Sequence, residues 1–332
     1  MGRFFPIFVF TLLSVSLGFC VTVTDSLGRV VHIEEPVKRV IANYGLLPPF
    51  IYLLGEGDKF HAGMFLGKEF YRLLDEEVQK KVLKGRSLNI EFVKKENPQV
   101  VISAYWQANQ RDVKQLEALG IPVVFVKLES VEDINNTIRI LGKIFGKEEK
   151  AEEIINYYSK SLSDLKDYVK GISTKPSVLI VFYDGRAHSY RTFGGDMFQS
   201  KLVELAGGIC VSKDLRGKKA INAEQVARWD PDVILIIQYR SSAQKVKKFI
   251  FADPLWKRTE AAREGRVYIV PNDGENWIDP CPKWILGLFW CAKILHPEIL
   301  QDLDLKKMAE EFYERFFNLD LERVKIMGDF TF

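Results

Sequence analysis

The chain has 332 residues, 47% of them hydrophobic and 27% charged, with a formal net charge of +3. That is enough for two domains of roughly 100–200 residues each, and the balance excludes a disordered polyelectrolyte. So small a net charge, with no densely basic stretch, gives no footing for nucleic-acid binding.

The first twenty residues stand apart. Arg3 supplies a positive start, an apolar run follows from Phe4 to Leu17, and the small residues Ser16 and Gly18 precede a possible cut. This pattern predicts a secretory signal peptide over residues 1–20. The run is too short for a transmembrane span of about 20 residues, and no second long apolar run exists, so the mature protein is expected to be soluble and extracytoplasmic. Cys20 is a candidate for a lipid anchor: Leu17 suits lipoprotein processing, whereas Phe19 is bulky for it. Cys210, Cys281 and Cys291 complete the four cysteines, without CxxC spacing. Cys281 and Cys291, ten apart within one helical pattern, are too far apart to bridge, and Cys210 and Cys291 read as buried small hydrophobes.

Beyond the signal, VTVTDSLGRVVHI predicts two short strands about an Asp-Ser-Leu-Gly turn. Strands follow at Lys38–Asn43, Phe60–Met64, Gln99–Ser103 and Pro122–Lys127, with helices at Pro48–Leu54 and 109–119 between them. Strand–helix–strand alternation argues for a parallel sheet covered on both faces. Residues 131–171 carry no strand signal. They predict one helix to Phe145 and a second from Glu148 to Lys170, about 34 Å long. The alternation then resumes, with strands at Ser177–Phe182, Asp232–Ile237 and Arg266–Val270. Helices are predicted at Asp196–Ala206, 241–251, Trp284–Leu295 and Leu305–Phe317. The expected fold is therefore α/β: two Rossmann-like lobes, 21–146 and 173–332, joined by one long interdomain helix (147–172), with a ligand cleft between the lobes.

One element occurs twice. GRSLNIEFVKKENPQVVIS in the first half returns as GKKAINAEQVARWDPDVILI in the second, with Asn89, Glu91, Val93, Pro98 and Val100 matching Asn222, Glu224, Val226, Pro231 and Val233. A single internal copy implies two related lobes, not a solenoid. Each Glu falls in the first turn of a helix that its Asn can cap, where the helix dipole alone favours a carboxylate.

These features together resemble the solute-binding proteins of ABC importers for iron–siderophores, haem and cobalamin. The resemblance runs through TDSLGRVVHIEEPVKRVI, NIEFVKKENPQVVIS, LEALGIPVVFV, the LGKIFG linker, LVELAGGICV, INAEQVARWDPDVILI, DPLWKRTEAAREGRVYIVP and WILGLFWCAKILHPE. It departs where Cys210 replaces a frequent Asn and Gln99 a usual Asp. The resemblance implies a periplasmic binding protein, with no enzymatic activity and no cofactor, that captures a ferric siderophore-type chelate. A corrinoid or haem is the alternative within the class. It also implies that Glu91 and Glu224 dock on the two subunits of an ABC permease dimer in the membrane, the binding protein itself being a monomer.

In open α/β sheets the ligand lies beyond the carboxyl ends of the strands. That rule nominates Tyr44, Phe65, Arg86, Tyr105 and Trp106 in the first lobe. In the second it nominates Tyr183, Arg186, Tyr239, Arg240 and Trp277. Aromatic faces suit a macrocycle or catecholate, and arginine forks suit carboxylates or an anionic ferric chelate. His32, His61, His188 and His296 lack metal-ligand spacing, and only His188 falls near the expected cleft. No GxGxxG, phosphate loop or GxSxG elbow is present. A two-lobed extracytoplasmic enzyme remains the alternative from a different class, on architecture alone.

Overall fold

A computed structural model describes residues 20–64, 67–83, 89–172, 174–239 and 242–330. The signal peptide up to residue 19 and the nominated Phe65, Arg86 and Arg240 lie outside the described residues. Strands β1 (Cys20–Thr24) and β2 (Val30–Glu34) pair antiparallel. Asp25, 4% exposed, holds their turn and its place on the lobe. Its carboxylate accepts from the backbone N–H groups of Leu27, Arg29 and Phe125 and from Arg29 Nε.

The first lobe is a parallel sheet of β3 (Val40–Ala42), β4 (Phe60–Gly63), β5 (Val100–Ala104) and β6 (Val123–Val126), in the order β4-β3-β5-β6. Its strands are almost wholly buried, as expected where helices cover both faces. The second lobe contains β7 (Ser177–Asp184), β8 (Ser189–Phe193), β9 (Ile209–Cys210), β10 (Lys218–Ile221), β11 (Val233–Ile236) and β12 (Val267–Ile269). The order is β10-β8-β7-β11-β12, with β9 beside the start of β7. The three strands expected here, β7, β11 and β12, are present and parallel, but the sequence pattern does not predict β8 and β10. β7, β9, β11 and β12 are parallel, but β8 and β10 add antiparallel at one edge. KKAI is mostly exposed and SYRTF half-buried, with only Thr192 and Phe193 fully buried, so both lack the apolar run that marks a buried parallel strand.

The repeated element is built alike in both lobes. Asn89 Oδ1 accepts from Phe92 N (3.1 Å) and Asn222 Oδ1 from Gln225 N (2.8 Å). Each helix, Ile90–Glu96 or Ala223–Trp229, then ends on a left-handed residue, Asn97 (φ 45°) or Asp230 (φ 41°). The next polar residue lashes neighbouring segments together. Gln99 Oε1 accepts from Arg39 N (2.8 Å), and Asp232 Oδ2 accepts from Ser177 N (2.7 Å). The Gln for Asp exchange thus keeps the same kind of tie.

Ser130 caps the helix Val131–Phe145 through a bond from Asp133 N (3.1 Å). The linker helix Glu148–Val169 follows, 22 residues and about 33 Å long. It is fixed to the second lobe where Tyr158 Oη donates to Pro282 O (2.6 Å) and its ring meets Trp284 edge-on at 5.1 Å. The helix Trp284–Leu295 is apolar all round and buried except at Lys293, so it forms the centre of the core.

A second tie crosses the junction between lobes. Lys283, 0% exposed, lies 2.6 Å from Glu275 Oε2 and 2.9 Å from Asp273 Oδ2, both carboxylates also buried. Tyr71 of the first lobe donates to Glu275 (2.9 Å), and Tyr313 of the helix Leu305–Phe317 donates to Asp273 (2.8 Å). The ammonium also sits 4.1 Å from the centre of the Phe70 ring. Burial raises the Glu275 carboxyl, while Asp273 and Glu275 hold Lys283 above the usual lysine range against the opposing effect of burial.

Candidate ligand cleft

The carboxyl ends of the strands deliver three aromatic residues to the junction from the first lobe. Tyr44 follows β3. Tyr105 and Trp106 lie in a single 3-10 turn directly after β5. That turn is locked by Gln107, 3% exposed, whose side chain accepts from Ala104 N (2.9 Å) and donates to Asn43 O (3.0 Å). Trp106 is 52% exposed and packs edge-on against Tyr44 at 5.6 Å.

The second lobe faces them with Tyr239 after β11, with Lys218 at the start of β10, and with the first turn of the helix Phe198–Leu205. Asp279, from the loop after β12, completes the wall. Together these residues enclose a cavity of about 220 Å³ between the lobes. Such a placement, at the strand ends of an α/β sheet, is where ligand sites are expected.

The acidic groups of the cleft are already partnered. Asp279 accepts from Gln199 Nε2 (2.6 Å), Tyr239 Oη (2.8 Å) and Asn276 Nδ2 (3.1 Å). Glu129 accepts from Tyr105 Oη, a bond that pushes the Tyr105 phenol up to about 12. Burial, with Asp279 and Glu129 nearby, raises the Tyr44 phenol, so it stays a neutral hydroxyl. Lys218 differs. Its ammonium lies 5.0 Å from the Tyr239 ring centre, 5.3 Å from Phe193 and 5.7 Å from Phe182. No carboxylate among the described residues pairs with it. The residue is exposed overall, but the walls of the cleft crowd its ammonium, and this desolvation lowers its pKa against the opposing attraction of Asp279 and Asp184.

Four of the nominated residues, Tyr44, Tyr105, Trp106 and Tyr239, come together in this cavity. Three others do not. Tyr183 belongs to the opposite face of β7: Phe182 points toward Tyr239, and Tyr183, one residue on, packs against Tyr190 at 5.2 Å. Arg186 sits in the exposed turn between β7 and β8, which Asp184 shapes by accepting from Arg186 N. His188 occupies the same turn, exposed and left-handed at φ 48°. Trp277 is 0% exposed and packs against Phe330 at 5.1 Å, because the chain after β12 turns back into the core before reaching the cleft. Among the described residues no arginine lines the cavity, and no group of three His, Cys, Asp or Glu side chains is placed to hold a metal directly.

Sequence reasoning missed Lys218, Gln199 and Asp279. Lys218 opens a polar edge strand that no apolar pattern announces. Asp279 lies in the unpatterned stretch NDGENWIDPCP. The Gly194-Gly195 pair was a usable signal for the helix start. A Cβ on Gly194 would lie 2.3 Å from Leu215 O, and one on Gly195 2.3 Å from Lys213 O. Only glycine lets the loop before β10 approach so closely.

Glu91 and Glu224 stand away from the cleft. Both are exposed in the first turns of their helices, and the Glu91 side chain is 83% exposed.

Residues 54–273 match the family model described as periplasmic binding protein. The chain belongs to that family. It is 25% identical to the molybdate-binding protein MolA of Haemophilus influenzae, over 90% of this chain and 88% of the relative. It is 23% identical to the Fe(3+)-citrate-binding protein YfmC of Bacillus subtilis, over 76% of each. The solved structure of Haemophilus influenzae MolA bound to molybdate superimposes with a TM-score of 0.80 at 23% identity, covering 92% of this chain and 99% of that one. As a periplasmic binding protein of the ABC-importer class, the chain acts outside the cytoplasm, binds a small molecule and presents it to an ABC permease; it is not an enzyme.

Proposed function

We propose that the cleft takes a compact anionic solute, a small ferric chelate or an oxyanion, and that the protein carries it to the permease. The observation that supports this reading is Lys218, an ammonium that lines the cavity beside the Tyr239, Phe193 and Phe182 rings and forms no direct ion pair among the described residues, Asp279 and Asp184 acting on it only at longer range. A cation that lacks a direct ion pair and faces a cavity gains a charge-assisted hydrogen bond when an anion arrives. Size narrows the choice. A cavity of about 220 Å³ falls below the roughly 300–1,000 Å³ of pockets for drug-sized ligands. The siderophore-type chelate expected from sequence therefore narrows to a ferric carboxylate of the kind YfmC is named for. Molybdate, which MolA is named for, fits the same chemistry. The corrinoid and haem alternatives draw no support from a cavity of this size.

Glu91 and Glu224 are proposed as the two permease contacts, since duplicated caps present them at equivalent points of the two lobes. Export is assigned to the signal peptide over residues 1–20, and Cys20 is the proposed point for a lipid anchor.

The test is equilibrium titration followed by intrinsic tryptophan fluorescence, to which Trp106 contributes from the cavity wall, with molybdate, ferric citrate, a ferric siderophore, haem and cobalamin. A compact anion is expected to bind, and Lys218→Met to weaken it. Losing a charged hydrogen bond costs about 1.5–3 kcal/mol, or tenfold and more in Kd. Tight binding of haem or cobalamin, with the small anions inert, would overturn the proposal.

A further inference from the structure

The helix Phe198–Leu205 enters the cleft without a cap. Its N-cap residue is Met197, in extended backbone, with no side-chain hydrogen bond to the first turn. Met197 N donates back to Gly194 O (3.0 Å) and Lys201 N to Met197 O (3.2 Å). Between them, the N–H groups of Phe198, Gln199 and Ser200 have no acceptor among the described residues. The missing cap alone is not distinctive: Asn89, Ser130, Asn222, Thr259 and Asp304 cap their helices, whereas Leu47, Glu77, Gln110, Lys147, Ser242 and Lys283 do not. Here an apolar residue stands at the cap and lines the cavity. Three unpaired N–H groups with the positive end of the helix dipole are an anion-binding arrangement.

A second observation points the same way. Gln199 lines the cavity and is 3% exposed. Its Nε2 is committed to Asp279, which leaves Oε1 buried with no partner among the described residues. A buried acceptor left unpaired is unfavourable, so a donor from the occupant is expected there. Lys218 is held beside this turn by two backbone ties: Gly194 N donates to Gly217 O (2.8 Å), and Gly217 N donates to Asp196 Oδ1 (2.7 Å).

We propose that the uncapped first turn of this helix is the subsite that receives the ligand's negative charge, with Lys218 closing on the same group. The inference rests on the compact-anion reading and deepens it. The occupant is a tetrahedral oxyanion or the carboxylate end of a ferric chelate. The donor that Gln199 Oε1 lacks would come from a hydroxyl or a metal-bound water of a chelate; a fully ionised oxyanion such as molybdate has none and would leave that acceptor unpaired. Met197 is kept apolar because a capping side chain would occupy the site that the ligand fills.

The proposal makes an unusual demand: better capping should mean weaker binding. Met197→Asp places a carboxylate within reach of the N–H groups of Gln199 and Ser200, and Met197→Asn places a neutral cap there. Melting temperature and affinity are measured for both, with molybdate and ferric citrate titrated separately. A response to molybdate alone identifies an oxyanion, and one to ferric citrate alone identifies a chelate carboxylate. Met197→Asp is expected to hold or raise the melting temperature while weakening the responding anion tenfold or more. Met197→Asn is expected to weaken it less. If both variants bind as tightly as the native protein while Lys218→Met does not, the subsite is wrong and the compact-anion reading survives. If the native protein takes neither anion, that reading fails and the subsite with it.

Discussion

Replacing Lys283 by Met would remove the one cation from a cluster that holds two carboxylates out of water. Asp273 and Glu275 would each keep a tyrosine donor, from Tyr313 and Tyr71, but neither would keep a counter-charge. Glu275 Oε1 already has no hydrogen-bond partner among the described residues. Removing one member of a buried ion pair costs about 3–5 kcal/mol. Against a total stability of about 5–15 kcal/mol, that is a large fraction. The pH dependence carries a sign. Burial raises the Glu275 carboxyl even with Lys283 present, so the folded state holds this proton more tightly than the unfolded state does. Stability from this group therefore falls as pH rises through and above the ordinary carboxylate range of about 4.3. Without Lys283 the raising effect grows, and the deficit of the variant should be larger at pH 7.5 than at pH 5. Urea denaturation at both values measures it. Lys283→Met combined with Asp273→Asn and Glu275→Gln should recover most of the loss, because no unpaired charge remains buried. A deficit under about 1 kcal/mol at pH 7.5, or one that does not change with pH, would refute this account of the cluster.

Two further outcomes are expected. Gly287→Ala should destabilise the protein by about 1–3 kcal/mol in the same denaturation assay, although alanine favours helix. The added Cβ would lie 2.1 Å from Trp277 O, and backbone cannot swing aside as a side chain can. Glu91→Ala and Glu224→Ala should leave ligand affinity and melting temperature near the native values while lowering uptake by the reconstituted importer. A large loss of ligand affinity would instead place these carboxylates in binding.

Much of the scaffold was legible because it depends on local patterns. Short apolar runs such as VVIS and VILI, each starting two residues after a proline and rich in β-branched residues, read as strands buried on both faces, and the Asn-x-Glu repeat exposed the likeness of the two lobes. The site was harder to read. The strand-end rule locates a position along the chain but not a face. It therefore found Tyr44, Trp106 and Tyr239, and also Tyr183, whose side chain falls on the far side of β7. It placed Trp277 by its distance from β12, whereas the burial of a large aromatic drew that segment into the core. Lys218 escaped notice because a lysine on a polar edge strand looks like ordinary solvated surface. Its meaning comes from Phe182, Phe193 and Tyr239, which meet it only in three dimensions.

The rigid helix Glu148–Val169 and the buried Lys283 cluster are two struts across one joint, and a joint braced twice is a poor messenger. If Glu91 and Glu224 are the permease contacts, as proposed, ligand occupancy that barely alters the spacing of the lobes cannot be announced by a change in the distance between them. The permease would then meet empty and loaded carriers with nearly equal grip. Idle carriers would compete for the transporter, and import would depend on the fraction of carrier filled as well as on its total amount. Any finer discrimination would have to be made at the mouth of the cleft, where Trp106 is already on the surface.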